Sequence, residues 1–377
     1  MTSLVTTPLS IMAPRPDGFE AVWGVSRLSR GRLEWRTSRE SGECRMDRFG
    51  MTPQGDEVLR VRAQGLPPGR TVEVRAVTEA VGGPADRHAG EWRRVHLPDP
   101  DAGAALIVVW NDTHQQDGTI RALDDLSPAA DMLVWNGDLC NDWKTPDEFT
   151  PTLLSPAGRD ITANRPLALT VGNHDVRGDW AFRLQSFAAM PEGRPYYSVR
   201  VGPVACIMLH TGEDKPDDHP SFRGRVAMEQ LRAEQTAWLR EEIRRPGIRD
   251  APYRAVFCHI PLRWTDETPV DYDDEGYDWF SRASRDAWHD SLVEWGAQLI
   301  VSGHTHYRSM IPADPAFPYA QVIGGGPVAD PGDEEAATWI ELAADEHELM
   351  LTMRTLDGVT ALRATFTPVT EQPPTQT

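Results

Sequence analysis

Five apolar runs in this chain each end in a short loop carrying His, Asp or Asn, and this repetition restricts the fold more than any other feature. Residues 106–110 lead into Asn111-Asp112-Thr113-His114, and residues 132–135 into Asn136-Gly137-Asp138. Residues 167–171 lead into Gly172-Asn173-His174-Asp175, residues 253–258 into His259, and residues 298–302 into Gly303-His304-Thr305-His306. Short apolar runs bounded by polar loops read as strands buried on both faces. In layered α/β folds ligands gather where loops leave the strand ends. Amphipathic stretches lie between the runs. Met228, Leu231, Trp238, Leu239 and Ile243 share one predicted helix face, and Trp288, Leu292 and Trp295 another. These tryptophans read as core rather than as a substrate platform.

The first hundred residues follow a different pattern. Residues 19–25, 32–37, 57–63, 71–77 and 91–97 alternate or are rich in β-branched and aromatic residues, with Gly and Pro clusters between them. Short strands at this spacing predict a small antiparallel β-sandwich. Residues 97–103 read as a linker. The expected organisation is an arm at 1–18, a sandwich at 19–98, a catalytic domain at 104–370 and a disordered polar tail at 371–377. Hairpins are predicted at 196–209, turning at Gly202-Pro203, and at 348–366, turning at Asp357-Gly358.

Charge narrows the partners. The formal net charge is -19, with acidic runs at 213–218 and 271–278. Such a surface repels polyanions, so no duplex nucleic acid is expected and a small substrate is favoured. No apolar run reaches the roughly 18 residues of a membrane span. The start shows no basic segment followed by an apolar core, so a cytoplasmic location is expected. The four cysteines (Cys44, Cys140, Cys206, Cys258) form no CxxC pair and suit a reducing compartment. Oligomeric state is not readable.

Taken singly, each strand-end element has a bland explanation: a buried, satisfied His, or a turn. Together they supply three carboxylate or amide oxygens (Asp112, Asp138, Asn173) and four imidazoles (His114, His259, His304, His306). That mixed O/N set suits Mn, Fe or Zn better than Ca or Mg.

Asp112-x-His114, Gly137-Asp138, Gly172-Asn173-His174-Asp175, His259 and Gly303-His304-x-His306 resemble the five-motif signature of calcineurin-like metallophosphoesterases. The resemblance implies an α/β (α+β) fold of four layers, two mixed β-sheets flanked by helices, with metals at the strand ends. By the same resemblance Asp112, His114 and His306 hold a first metal ion, Asn173, His259 and His304 a second, and Asp138 bridges both. The implied reaction is hydrolysis of a small phosphomonoester or phosphodiester by a hydroxide between the metals, attacking phosphorus in line. His174 is implied as the proton donor towards the leaving oxygen, oriented by Asp175.

The sequence departs from the family at one point: Asn141 stands where an Asp is common, and Asp142 follows it. Which of the two approaches the bridging residue is open. Purple acid phosphatases carry Tyr at the position of Asn141, so an Fe(III)–tyrosinate centre is not expected. Trp23 in an early strand and the 65–69 turn resemble the fibronectin-III-like domain that precedes those enzymes. His210 and Cys140 are read as structural, while His219, His289 and Arg263 are substrate-contact candidates by proximity alone. The loops at 213–225 and 264–277 carry no readable specificity code. The alternative is a catalytically silent metal-binding or scaffold protein on the same fold, which the intact ligand set disfavours.

Overall fold

The computed structural model describes residues 3–47, 49–82, 85–263 and 277–369. The loop at 264–276, most of the acidic run at 271–278 and the tail at 371–377 therefore lie outside the described residues.

Two large sheets face each other across the main core. The first has nine strands, in the order Thr360–Phe366, Leu349–Thr355, Thr338–Ala344, Ala105–Trp110, Met132–Asn136, Leu167–Thr170, Ser10–Arg15, Gly18–Gly24 and Val58–Ala63. The second has six, in the order Tyr197–Val201, Val204–Leu209, Tyr253–Cys258, Leu299–Ser302, Ala320–Ile323 and Ser309–Ile311. Both are mixed: Ala105–Trp110, Met132–Asn136 and Leu167–Thr170 run parallel, while Thr338–Ala344 pairs antiparallel to Ala105–Trp110.

Strand periodicity explains the layering. Ile107 and Val109 point between the sheets, where they meet Cys206, Met208, Phe257 and Val301. Their neighbours Val108 and Trp110 point outward, against Ile120 and Leu123 of the helix Asp117–Leu126 and against Trp143 and Phe149. On the far side Ile207, Leu209 and Val256 pack against Leu239, Trp288, Leu292 and Trp295 of two helices, Met228–Glu242 and Tyr277–Trp295. Because every position in these strands is covered on one face or the other, the runs are continuously apolar rather than alternating. The order helix, sheet, sheet, helix is the expected four-layer fold.

Two differences from the sequence reading have clear causes. The buried face of Met228–Glu242 keeps Leu239 of the predicted stripe, with Ile243 just beyond and Trp238 packed against the same core, and adds Arg232 and Gln235. Gln235 buries its amide by donating to the His210 carbonyl and accepting from the His210 N–H, both at 2.8 Å. A polar side chain so satisfied belongs inside.

The second difference is at the N-terminus. Ser10–Arg15, inside the predicted arm, is a strand; it pairs parallel to Leu167–Thr170 through Met12 and Leu167, and antiparallel to Gly18–Gly24. The strands Gly18–Gly24 and Val58–Ala63 thereby join the nine-stranded sheet. They also pack, through Phe19, Trp23, Leu59 and Val61, on a third sheet built around Ser29–Arg36 and Thr71–Ala80. The sandwich and the catalytic core share one sheet. No helix among the described residues is long and apolar enough to cross a membrane.

Candidate metal centre

All seven predicted ligand positions converge at the strand ends where the two large sheets meet. Asp112 and His114 follow Ala105–Trp110, Asp138 follows Met132–Asn136, and Asn173 follows Leu167–Thr170. His259 follows Tyr253–Cys258, and His304 and His306 follow Leu299–Ser302. Two groups of metal-ligating atoms form, Asp112 with His114 and His306, and Asp138 with His259 and His304; within each, the ligand atoms lie within 4.8 Å of one another. The Asn173 Oδ1 atom is 2.9 Å from His304 Nδ1 and so belongs with the second group. Asp138 Oδ2 lies 3.0 Å from His259 Nε2 and 3.6 Å from His114 Nε2, between the two groups.

The backbone is bent to achieve this. Asp112, His114, Asp138, His304 and His306 have φ of 46°, 44°, 50°, 71° and 63°. Non-glycine residues rarely adopt this left-handed region, and such strain persists only where the surroundings impose it. Here the His114 N–H donates to the Asp138 carbonyl at 3.0 Å, and the His304 N–H donates to both Asp112 carboxylate oxygens, at 2.9 and 3.0 Å. At Gly303 a Cβ atom would stand 2.0 Å from Asp112 Oδ2, and at Gly172 one would stand 2.2 Å from Asp138 Oδ1. Both glycines of the motifs are demanded by close approach to a carboxylate.

Electrostatics favours cations. Burial opposes the charge on Asp138, but His259 beside it outweighs burial and holds the carboxyl far below its ordinary range. Burial likewise opposes charge on His259, yet Asp138 and Asp112 raise it to about 10. Burial lowers His114 to about 4 and His304 to about 3, which leaves lone pairs for a metal, whereas His259 keeps its Nε2 proton beside the carboxylates until a cation displaces it. Burial raises Asp112 to about 6.

Two observations test whether a metal fits. The His259 Nδ1–H donates to the Asn136 carbonyl at 3.0 Å, which leaves Nε2 as the ligating atom. That Nε2 is fully buried, and its polar neighbours are the carboxylates of Asp138 at 3.0 Å and Asp112 at 3.7 Å. His114 Nε2 and His306 Nε2 face each other at 3.1 Å, an approach of two ring nitrogens that a shared cation would explain. The residues fit.

The structure corrects the reading of His174. Its Nδ1 pairs with Asp142 Oδ1 at 2.8 Å, not with Asp175. Asp175 is buried, and its carboxylate accepts from the Leu139 N–H at 2.9 Å and the Gly172 N–H at 2.8 Å, tying two motif loops together. Asn141 instead donates to the His114 carbonyl at 3.2 Å. A φ of 65° at Asp142 swings its carboxylate to the histidine, one residue later than the family position.

Among the weaker candidates, Arg263 points away from the centre, bonding the Pro312 carbonyl and Asp314. His289 pairs with the Tyr319 hydroxyl, and His219 accepts from the Ser221 N–H. His210 is buried, with Nδ1 accepting from the Gly212 N–H at 3.3 Å. Cys140 and Cys258 are buried thiols. Sequence reasoning missed Glu335, whose Oε2 lies 3.4 Å from His306 Nδ1, and the Arg177–Glu213 pair at 2.7 Å beside the site. Neither sits in a motif, so no local signal marks them.

Comparison with known proteins agrees with this geometry. Human serine/threonine-protein phosphatase CPPED1 is 28% identical over 194 residues, covering 50% of this chain and 57% of that protein. Purple acid phosphatase 21 of Arabidopsis thaliana is 25% identical over 242 residues, covering 58% of this chain and 49% of that protein. The matches thus span about half the length of these relatives. In fold, purple acid phosphatase PPD1 from yellow lupin superposes with a TM-score of 0.68 at 13% identity, over 96% of this chain and 75% of its own. PhoD superposes at 0.63 and 12%, over 97% and 90%. The calcineurin-like phosphoesterase profile matches residues 105–308, which contain every strand-end loop described above. The chain belongs to the calcineurin-like phosphoesterase family.

Proposed function

We propose that this protein hydrolyses phosphate esters of small molecules at a pair of metal ions. Asp112, His114 and His306 would hold one ion, Asn173, His259 and His304 the other, and Asp138 both. The observation that carries this reading is the pair of buried ligand groups joined by one carboxylate, with a histidine–carboxylate dyad beside them. The two cations, Mn, Fe or Zn by their donor set, would supply Lewis acidity and a nucleophile at neutral pH.

The chain's own residues do the rest. Asp138 Oδ1 accepts from the His174 N–H at 2.9 Å, so the bridging carboxylate also fixes the histidine's backbone. A carboxylate only accepts, so His174 carries its proton on Nδ1 towards Asp142 and works through Nε2. With both ring nitrogens protonated, it would give the Nε2 proton to the departing oxygen, a role that contributes about 10²- to 10⁴-fold in rate. The rings of His114 and His174 are 5.2 Å apart, which places this acid at the edge of the metal groups. Domain limits of 104–370 for the catalytic part are proposed on the same footing.

The test is hydrolysis of a nitrophenyl monoester and a bis-nitrophenyl diester with added Mn, alongside metal analysis of the protein. Two metal equivalents per chain, with turnover lost in Asp138→Asn, is the expected result. Two equivalents with no turnover of either ester would leave a silent metal-binding scaffold.

A further inference from the structure

A cavity of about 760 Å³ opens next to the metal centre. Asp142 lines it, and the same Asp142 holds the ring of His174. The cavity therefore adjoins the carboxylate partner of the proton donor, and no metal ligand lines it. Hydrolysis places the leaving group on the side of its acid.

The lining carries two messages. Its three cations are already committed: Arg177 bonds Glu213 at 2.7 Å and Asp214 at 2.6 Å, Lys215 bonds Asp214 at 2.8 Å, and Arg225 bonds Asp179 at 2.9 Å. No cation here is left over for a second phosphate, and the carboxylates are likewise answered. The uncharged side chains that line it are mostly apolar: Val176, Phe182, Phe222, Val226 and Met228, beside Ser221. Phe182 is 67% exposed and stacks on Trp180, with ring centroids 5.8 Å apart at 29°. An aromatic face held in solvent at a cavity mouth is a surface for a flat apolar group.

We propose that this cavity receives the leaving group of the ester and selects an uncharged, ring-bearing alcohol, with Phe182 as the specificity-determining residue. The proposal rests on the phosphoesterase reading above. In the reaction, the oxygen of water forms the new bond to phosphorus while the bond from phosphorus to the leaving oxygen breaks. The electron pair departs with that oxygen, and a proton from His174 completes the alcohol. Esters of nucleoside diphosphates or sugar bisphosphates would carry unpaired negative charge into a site whose cations are all engaged.

The experiment compares kcat/KM of the full Mn-loaded chain for 2-naphthylmethyl phosphate and for ethyl phosphate, both esters of primary alcohols, and measures 2-naphthol binding to the metal-free chain by fluorescence. The expected result is a preference for the naphthylmethyl ester of about tenfold or more. Phe182→Ala should collapse that preference and weaken naphthol binding, and Phe182→Trp should restore both. Equal turnover of the two esters, or a preference that survives Phe182→Ala, would overturn the cavity assignment and leave the phosphoesterase reading standing. Phe182-dependent naphthol binding with no turnover of any ester would instead remove the phosphoesterase reading and keep the apolar preference of the cavity.

Discussion

Asp142 holds the ring of His174 and Asp175 ties loops together, although the family resemblance gives the orientation of that ring to Asp175. Asp142 is partly exposed and meets the His174 ring, whereas Asp175 is buried and receives two backbone N–H groups. Their loss should therefore register in different measurements. Asp142→Asn should lower kcat by about ten- to a hundredfold, because the ring loses the carboxylate that fixes its tautomer. Thermal stability should hardly change, since a half-exposed ion pair contributes about 1 kcal/mol or less. Asp175→Asn should do the reverse. Its amide cannot accept at both oxygens, so the Leu139 or Gly172 N–H loses its partner inside the protein, at about 1–3 kcal/mol. Steady-state kinetics and thermal melts of the two variants make the comparison. A kcat loss in Asp175→Asn alone, with Asp142→Asn active, would refute it. The sequence left Asn141 and Asp142 undecided because the choice hangs on one left-handed φ, and no local preference dictates φ > 0 at an aspartate.

The helix Met228–Glu242 and the strand Val204–Leu209 meet at His210, and the pH dependence of folding should show it. Gln235 clamps the His210 backbone on both sides, and burial lowers the imidazole from 6.5 to about 4, against a raising contact from the Val171 backbone. The folded pKa is depressed, so the folded chain resists the proton that the unfolded chain accepts. This contribution to stability is complete above about pH 6.5 and is lost as pH falls through about 4. Its full size is roughly 3 kcal/mol. Urea unfolding of the metal-free chain at pH 7 and pH 4.5 should show a smaller drop for His210→Gln than for the parent chain. Equal drops would mean that His210 is accessible to protons in the folded state. At this scale the sequence was a good guide to strands, whose uninterrupted apolar runs admit few readings. It found Leu239 and Ile243 on the buried helix face and missed Arg232 and Gln235, which the amphipathic pattern counts as solvent-facing. Hydrogen bonds from another element are what make them interior residues.

The molecule as a whole is stapled by its first strand. Ser10–Arg15 sits between Leu167–Thr170 and Gly18–Gly24, and Met12 and Val22 enter the same core as Trp135 and Leu169. Arg60 of the sandwich donates to the Gln185 and Ala188 carbonyls, both at 2.9 Å, and Arg93 pairs with Asp160 at 3.0 Å. Removing residues 1–103 would uncover the edge of Leu167–Thr170 together with the apolar side chains around it, a template for aggregation. The truncated chain should be insoluble or should form oligomers on size-exclusion chromatography. A soluble, monomeric and active 104–377 fragment would show that the sandwich is an appended module.

The sequence by itself determined the layered fold and the seven residues at the strand ends. Buried parallel strands need continuous apolar runs, and the motif residues follow those runs directly, so both are written locally. Tertiary structure alone decided three matters: which aspartate serves His174, that Arg232 and Gln235 join the buried face of Met228–Glu242, and that the N-terminal strand joins the nine-stranded sheet. Each depends on contacts between residues far apart in the chain, from Asp142 to His174, Gln235 to His210 and Met12 to Leu167. Such partners are chosen by packing and hydrogen-bond satisfaction in three dimensions, and local periodicity carries no record of them.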